Sequence, residues 1–294
     1  MKPLLTVLCY CMVLFIPIST RSQTDSTMQS PQPVDTTTKK KGNTNFTAGL
    51  DFYSNLHYFG RTDSLKSTAW VPNFFLQFGS GWFLNSSLIF INNSGQSLKY
   101  TAATLGGGYK WGNPGKVKGW TGSAYAAKFF YSNEILVQSS QEGQAGVNLS
   151  YRNKIANINI GSSIAFGDQT DFFMSLGFDH LFKYKWNDGK DIFAFIPAFS
   201  INSGTQNFTN SYYKARIFPL SDTLVTETSR KFKVLSLELS VPFVYIHNKL
   251  AFTFTPGVVF PQSVIKVAGR PDLSENAETL GYANFGISYT FGKR

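Results

Sequence analysis

Alternation of residue types is the feature that most constrains this chain. From Phe46 onward, bulky apolar residues recur at every second position in one segment after another, with small or polar residues between them. A clear example carries Leu235, Leu237, Leu239, Val241, Phe243 and Tyr245. A period of two is typical of a β-strand whose two faces have different surroundings, whereas a helix repeats about every 3.6 residues. The pattern predicts an all-β fold.

Twelve such segments follow one another along the chain. They are 46–55, 68–78, 81–91, 98–111, 118–132, 139–151, 154–167, 169–184, 191–203, 230–246, 249–260 and 280–291. A strand that crosses a membrane needs about 9–11 residues, and bacterial barrels usually have an even number of strands. Because every backbone N–H and C=O must be paired in lipid, such a sheet has to close on itself. We therefore predict a closed antiparallel transmembrane β-barrel of about 12 strands, within a range of about 10–14.

The two faces of the segments favour a membrane barrel over the alternative, a soluble secreted β protein. One face is small and suits a confined interior, as at Gly106, Gly108, Ala124, Ala126, Gly161, Ser163, Gly286 and Ser288. The other face carries aromatic residues towards the strand ends, at Trp70, Trp82, Tyr109, Trp111, Tyr131, Tyr245 and Tyr289. Such aromatic residues are typical of the girdles where a barrel meets the membrane surfaces.

The first residues are predicted to lie outside the barrel. A basic start, an apolar run and a small-residue exit predict a secretory signal peptide over 1–23, followed by a flexible periplasmic leader over 24–45. The barrel then takes up 46–294, and the chain is exported to the cell outer membrane of a Gram-negative bacterium. Both cysteines, Cys9 and Cys11, fall in the signal peptide. We expect no disulfide and no cysteine-bound metal in the mature chain.

The connections between the segments alternate in length. The tight ones contain turn-forming residues, as in Asn113-Pro114-Gly115 and Asn187-Asp188-Gly189, whereas the longest are about 56–67, 204–229 and 261–279. This arrangement predicts short periplasmic turns and long extracellular loops. In the loop at 204–229, a basic aromatic group could bind a surface glycan or ligand, although an ordinary exposed loop is the alternative. Its members are Tyr212, Tyr213, Lys214 and Arg216.

Five stretches of the chain carry a resemblance to a known class of proteins: Ser22-Gln23, 204–206, 240–242, 252–256 and 285–291. They resemble the small outer-membrane β-barrel proteins of Bacteroidota-type bacteria, most of which have no assigned function. The closing residues Phe285, Ile287, Tyr289 and Phe291 are similar to the membrane-insertion signal of such proteins. The resemblance implies that the barrel assembly machinery inserts the chain. One departure is that Gly292-Lys293-Arg294 follow the last aromatic residue, where the signal usually ends.

Charged residues within the segments are predicted to point into the barrel, because a basic residue that faces lipid at mid-bilayer costs about 2–4 kcal/mol. These lumen-lining candidates are Asp51, Lys110, Lys128, Asp179 and Glu238. They could line a polar pore or form an interior network that holds the wall together. We therefore predict a narrow, porin-like channel that transports small hydrophilic solutes. The alternative is a closed barrel with a structural or surface-binding role through its extracellular loops.

Signals of catalysis are weak. The three histidines, His57, His180 and His247, fall at different heights of the predicted barrel, so a nucleophile and base would not meet. We expect no enzyme activity, no cofactor and no metal, because no ligand cluster or nucleotide fingerprint is present. The expected partners are outer-membrane lipid and lipopolysaccharide, the assembly machinery and small solutes, and no nucleic acid.

Overall fold

A computed structural model describes most of the chain after residue 43. The described residues are 44–62, 66–112, 118–132, 136, 139–208, 231–263 and 278–292. The predicted signal peptide 1–23 and nearly all of the leader 24–45 lie outside them, as do the loop candidates Tyr212, Tyr213, Lys214 and Arg216.

The described residues fold almost entirely as strands. In chain order these are β1 Asn45–Tyr53, β2 His57–Tyr58, β3 Arg61–Thr62, β4 Thr68–Gln77, β5 Trp82–Asn93, β6 Gln96–Gly112, β7 Gly119–Tyr131, β8 Gln141–Arg152, β9 Asn157–Gly167, β10 Asp171–Asp179, β11 Phe182–Trp186, β12 Asp191–Phe195, β13 Ala198–Gly204, β14 Lys233–Ser240, β15 Phe243–His247, β16 Leu250–Pro261 and β17 Leu280–Phe291. A short 3-10 helix, Asn187–Gly189, joins β11 to β12. No helix among the described residues is long and apolar enough to cross a membrane.

The strands form one closed antiparallel barrel with a wall of twelve strands. Nine wall strands are single, and the other three each consist of two parts: β10 with β11, β12 with β13, and β14 with β15. The ring closes where β1 pairs with β17, in a register that places Phe46 opposite Phe291 and Tyr53 opposite Asn284. The predicted fold class, an all-β closed antiparallel barrel of about 12 strands, is confirmed. Among the strands of the described residues, only β2 and β3 stand outside the wall, as a hairpin of their own within the β1–β4 connection.

The three interruptions lie side by side in neighbouring wall strands. Pro197 separates β12 from β13, and Pro242 separates β14 from β15. Proline lacks the N–H that the ladder needs, so pairing stops locally at both positions. A few hydrogen bonds bridge the gap, including Ile196 N to Pro242 O at 2.8 Å and Val241 N to Pro256 O at 3.0 Å.

The barrel is apolar outside. Aromatic side chains of nine neighbouring strands occupy one continuous row of register positions on that outer surface. The row is Phe182, Phe195, Phe243, Phe254, Phe285, Phe52, Trp70, Phe90 and Tyr100. Ring centroids of neighbours are as close as 4.5 Å, between Phe182 and Phe195. Such a surface is suited to lipid, in which aromatic cross-strand pairs add to the stability of the sheet.

The inside of the barrel is polar at mid-height. Buried amide, hydroxyl and carboxylate side chains from every part of the wall point inward, among them Thr47, Asn73, Ser87, Gln144, Asn159, Ser163, Ser175, Ser200, Asn202, Ser236 and Asn284. Many bond to each other across strands, as Ser87 does with Thr104 at 2.6 Å. This inversion, apolar outside and polar inside, is the one that a membrane barrel requires.

The two ends of the barrel differ in their connections. One end has the short turns 78–81, 153–156, 187–190 and 248–249, whereas the other has the three longest connections, 54–67, 205–232 and 262–279. The predicted alternation of lengths is confirmed. We call these the short-turn end and the long-loop end. The predicted turn at 113–115 lies outside the described residues.

Candidate functional site

Asp51 of β1 points into the barrel at mid-height. Its side chain is buried, and Asn73 Nδ2 on neighbouring β4 donates a hydrogen bond to its Oδ2 at 2.8 Å. On the other side, Gly286 of β17 makes room for the carboxylate, because a Cβ there would collide with Asp51 Oδ1. The glycine that alternation placed on the inner face thus permits a buried acid.

Asp179 lies inside the barrel nearer the short-turn end. Asn157 Nδ2 and Asn159 Nδ2, both on β9, donate to its two oxygens at 2.8 Å and 2.7 Å. Hydrogen bonds to a charged acceptor are stronger than neutral ones, so this pair of amides fixes the carboxylate firmly.

Glu238 of β14 is buried in the wall's inner face and accepts a hydrogen bond from the Tyr282 hydroxyl of β17. The two strands are not neighbours, because β16 lies between them. Tyr282 crosses β16 at Gly257, where a Cβ would collide with the phenol ring.

Lys110 of β6 lies near the short-turn end. Its Nζ sits over the ring of Phe75 at 4.6 Å from the centroid and over that of Phe83 at 5.1 Å. Both rings belong to inward-facing positions, so Lys110 lines the interior at that end. Attraction between a cation and an aromatic face holds the ammonium group in place.

Lys128 does not point into the barrel, and here the prediction from alternation was wrong. Its side chain is 47% exposed on the outer surface, where Nζ forms an ion pair with Glu142 Oε2 at 2.7 Å. The small face of β7 therefore lies outward, and Tyr125 and Phe129 lie inward.

The reason for the reversal is the inner surface of the neighbouring strand. Gly106 and Gly108 of β6 face inward and leave space that β7 fills with larger side chains. Tyr125 stands opposite Gly108 and reaches Gln144 Nε2, which donates to its hydroxyl at 3.3 Å. Side-chain size within β7 alone therefore predicts the wrong inner face. The side chains of β7 and of its neighbouring strand together determine what fits inside the barrel.

The long-loop end is covered by the β2–β3 hairpin, residues 57–62, which we call the entrance hairpin. It leaves the wall after β1, the first wall strand, and packs against Gln141, Phe173 and Leu235. These residues belong to the sixth, eighth and tenth wall strands counted from β1. The hairpin therefore crosses the barrel mouth to the opposite wall.

Aromatic packing holds the tip of the entrance hairpin. Tyr58 and Phe59 are buried in a cluster with Ala165, Phe173, Phe208 and Leu235. The rings of Tyr58 and Phe208 meet edge to face at 4.8 Å, and those of Phe59 and Phe173 lie 5.2 Å apart. The Tyr58 hydroxyl also donates to Gln141 Oε1 at 3.0 Å.

Arg61 anchors the returning strand of the hairpin. It is only 6% exposed, and its Nη2 donates to Gln206 Oε1 at 2.8 Å and to the Gln262 carbonyl oxygen at 3.4 Å. Gln206 and Gln262 follow different wall strands, β13 and β16. One guanidinium group thus ties the hairpin to the segments that follow the two wall strands on either side of β14.

Asp171, at the outer end of β10, holds a second segment over the mouth. Its Oδ1 accepts hydrogen bonds from Thr205 Oγ1 at 2.6 Å and Asn207 N at 2.7 Å, and its Oδ2 accepts one from Phe208 N at 2.8 Å. The segment 205–208 is thereby turned inward, and Phe208 meets the entrance hairpin.

A second apolar cluster lies at the same end of the barrel. Its members are Tyr53, Leu56, Ala69, Val71, Ile89, Ile91, Ala102 and Leu136, with Tyr131 packed against them. Leu136 comes from the connection between β7 and β8, and the others from inward positions of the wall and from the loop after β1. Both clusters of described residues therefore lie at the long-loop end of the polar interior.

The three histidines have different partners. The ring of His57 lies 5.0 Å from that of Tyr282, the ring of His180 lies 4.5 Å from that of Phe182, and His247 Nδ1 lies 2.6 Å from Asp191 Oδ1. Among the described residues, no group of three or more histidine, cysteine or acidic side chains could hold a metal ion.

The insertion-signal candidates all lie on the outer face of β17. Phe285, Ile287, Tyr289 and Phe291 are exposed there. Sequence reasoning missed Tyr58, Arg61, Asp171 and Tyr282. A signal for the first two existed, because Tyr58-Phe59-Gly60-Arg61 places aromatic residues and an arginine around a turn glycine in a long loop.

Comparison with known proteins gives a likeness in fold. No protein-family model matches the chain, and no curated protein matches it. The solved KdgM porin has 8% identity and a TM-score of 0.44, covering 84% of this chain and 99% of its own. The NanC porin has 14% identity and a TM-score of 0.43, covering 83% of this chain and 98% of its own. LpxR from Salmonella typhimurium has 9% identity and a TM-score of 0.43, covering 83% of this chain and 100% of its own. A likeness at this level identifies neither a family nor a function.

Proposed function

We propose that the protein is an outer-membrane channel for small hydrophilic solutes, exported by its signal peptide and inserted by the barrel assembly machinery. The observation that carries the proposal is the contrast in polarity between the outer and inner faces of the barrel wall. The outer surface bears a continuous aromatic row, whereas the interior bears Asp51, Asp179 and Glu238 among amides and hydroxyls. A barrel of this kind places its polar groups along a path between the two sides of a membrane.

A location in the outer membrane also defines the proposed surroundings of the barrel. The aromatic outer face contacts lipid, and the long-loop end faces lipopolysaccharide and the cell exterior, with the short turns in the periplasm. We also propose that the protein comes from a Bacteroidota-type bacterium and that it has no enzyme activity.

A second function is favoured by one specific observation, the covered long-loop end. The entrance hairpin and the two apolar clusters would suit a permanently closed barrel that acts through its extracellular loops. The two functions differ in what the interior does once the hairpin is removed. A channel then passes solutes, whereas a permanently closed barrel does not.

Solute flux into liposomes separates the two. The wild-type protein and a variant in which residues 57–62 are replaced by a Gly-Ser linker of equal length are reconstituted side by side. We expect the variant to admit small neutral solutes such as glycerol and monosaccharides much faster than the wild type. If the correctly folded variant admits none of them, the channel is excluded and the second function stands.

A further inference from the structure

His57 is the first residue of the entrance hairpin. Its ring lies 5.0 Å from the ring of Tyr282, and the Tyr282 hydroxyl donates to Glu238, so one phenol links the hairpin to an acidic side chain of the interior. Its Nδ1 accepts a hydrogen bond from Gly60 N at 3.3 Å, across the turn of the hairpin. Nδ1 can accept that bond only while it carries no proton.

The turn that this bond closes is strained. Phe59 and Gly60 both have positive φ, at 52° and 78°, as the two central residues of a type I′ turn require. Glycine adopts this conformation readily, but a bulky residue such as phenylalanine does so only where its surroundings hold it. The aromatic cluster and the Gly60–His57 bond hold Phe59 in this conformation, so losing either favours release.

The hairpin and the elements that pack against it carry several charged residues. Glu238 of β14 lies behind Tyr282, and Lys233 lies at the outer end of β14. Arg61 of β3 is engaged by Gln206, and Asp171 of β10 by the segment 205–208. Burial and the Gly60 bond both oppose protonation of His57.

Burial is the larger effect. It lowers the pKa of His57 from its ordinary value of 6.5 to about 4. A histidine exposed by an open hairpin keeps a pKa of about 6.5. The closed hairpin therefore binds fewer protons than the open one, so its stability is fully present above about pH 6.5 and is lost as the pH falls towards 4.

We propose that the entrance hairpin is an acid-released gate, and that His57 is the residue whose protonation opens it. This inference rests on the proposed channel function, because a gate matters only where there is a path to close. It deepens that function by naming the condition under which the long-loop end is uncovered.

The test uses the full-length protein in planar lipid bilayers at about pH 7.5 and about pH 4.5. We expect conductance of the wild type to rise by more than about tenfold on acidification, since each pKa unit is a tenfold change in the equilibrium. His57→Gln removes both the titrating group and the acceptor of the Gly60 bond, so its conductance should be the same at the two pH values. His180→Gln and His247→Gln are matched controls, because these histidines lie away from the hairpin, and both should keep the rise.

A second measurement follows the hairpin itself. Protein labelled with 3-fluorotyrosine gives a ¹⁹F resonance for Tyr58, assigned by its loss in Tyr58→Phe. We expect that resonance to move from a buried to a solvent-exposed position between about pH 7.5 and about pH 4.5 in the wild type but not in His57→Gln.

The outcomes separate the gate from the channel. A Tyr58 resonance that stays buried at low pH, or a pH response that persists in His57→Gln, overturns the gate. Zero conductance in the hairpin-replaced variant overturns the channel, whatever the resonance does.

Discussion

Tyr282 and Glu238 are joined by a hydrogen bond that spans a whole strand. Tyr282 lies on β17 and Glu238 on β14, and the phenol reaches across β16 over Gly257. The bond therefore links wall strands that do not pair, and the Tyr282 ring also contacts the ring of His57 in the entrance hairpin, 5.0 Å away. The interior network and the cover of the mouth meet at this one tyrosine.

Removing the Tyr282 hydroxyl should destabilise the barrel. In Tyr282→Phe, Glu238 is left buried without this donor, which costs about 1–3 kcal/mol. Urea unfolding in detergent or lipid, followed by the shift of the folded band on gels, measures the change. The control is Tyr289→Phe on the outer face, which should leave the free energy of unfolding unchanged. Equal stability of Tyr282→Phe and the wild type would show that the bond adds nothing.

Adding a methyl group at Gly60 should displace the entrance hairpin. Gly60 has a φ of 78°, and a Cβ there would lie 2.8 Å from Pro261 Cγ. We expect trypsin to cleave after Arg61 quickly in Gly60→Ala and slowly in the wild type, where that arginine is buried. Mass spectrometry of the fragments identifies the cleavage site.

Gly281→Ala is the matched control for that experiment. A Cβ at Gly281 meets nothing within 4 Å, so the control should resist trypsin at Arg61 as the wild type does. Slow cleavage in both variants would contradict the packing of Gly60 against the wall.

Substitution of Lys128 should have little effect on transport. Its ion pair with Glu142 is exposed on the outer surface, and such pairs contribute about 0–1 kcal/mol to stability. In a hairpin-replaced background, Lys128→Gln should leave conductance unchanged. Lys110→Gln in the same background should alter it, because Lys110 lines the interior over Phe75 and Phe83. A larger effect at position 128 than at 110 would reverse the assignment of faces.

The outer aromatic row should contribute to stability. Phe285 packs against Phe254 at 4.8 Å and against Phe52 at 6.4 Å, and each such pair is worth about 0.5–1.5 kcal/mol beyond its buried area. Phe285→Ala should thus lower the free energy of unfolding by more than Phe172→Ala. Phe172 is equally exposed on the outer face but has no ring contact with the described residues. Equal losses in the two variants would mean that the row contributes no more than single lipid-facing rings.

The sequence predicts the wall of this barrel well because one rule governs it. Lipid outside and polar groups inside impose a period of two on every wall strand, and turn residues separate the strands. The rule fails where local geometry shifts the register. Leu235 was expected on the face of Leu237 and Leu239, but a bulge beside Asn202 turns it inward against Phe173.

The candidate site is harder to predict because it depends on contacts distant in sequence. Asp51 and Asp179 follow from the period of two, but their Asn73 and Asn159 partners depend on strand register. Lys128 faces outward because of glycines on a neighbouring strand. The entrance hairpin depends on where a loop goes after it leaves the wall, and alternation says nothing about that.

Single-channel conductance of Arg61→Ala at neutral pH tests the central claim most directly. This substitution removes the contacts of the entrance hairpin with Gln206 and Gln262 and leaves the wall strands intact. We predict brief, repeated openings of one uniform size that the wild type rarely shows, with the same size in the hairpin-replaced variant. A correctly folded Arg61→Ala barrel that stays as silent as the wild type, together with a silent hairpin-replaced variant, would contradict the account.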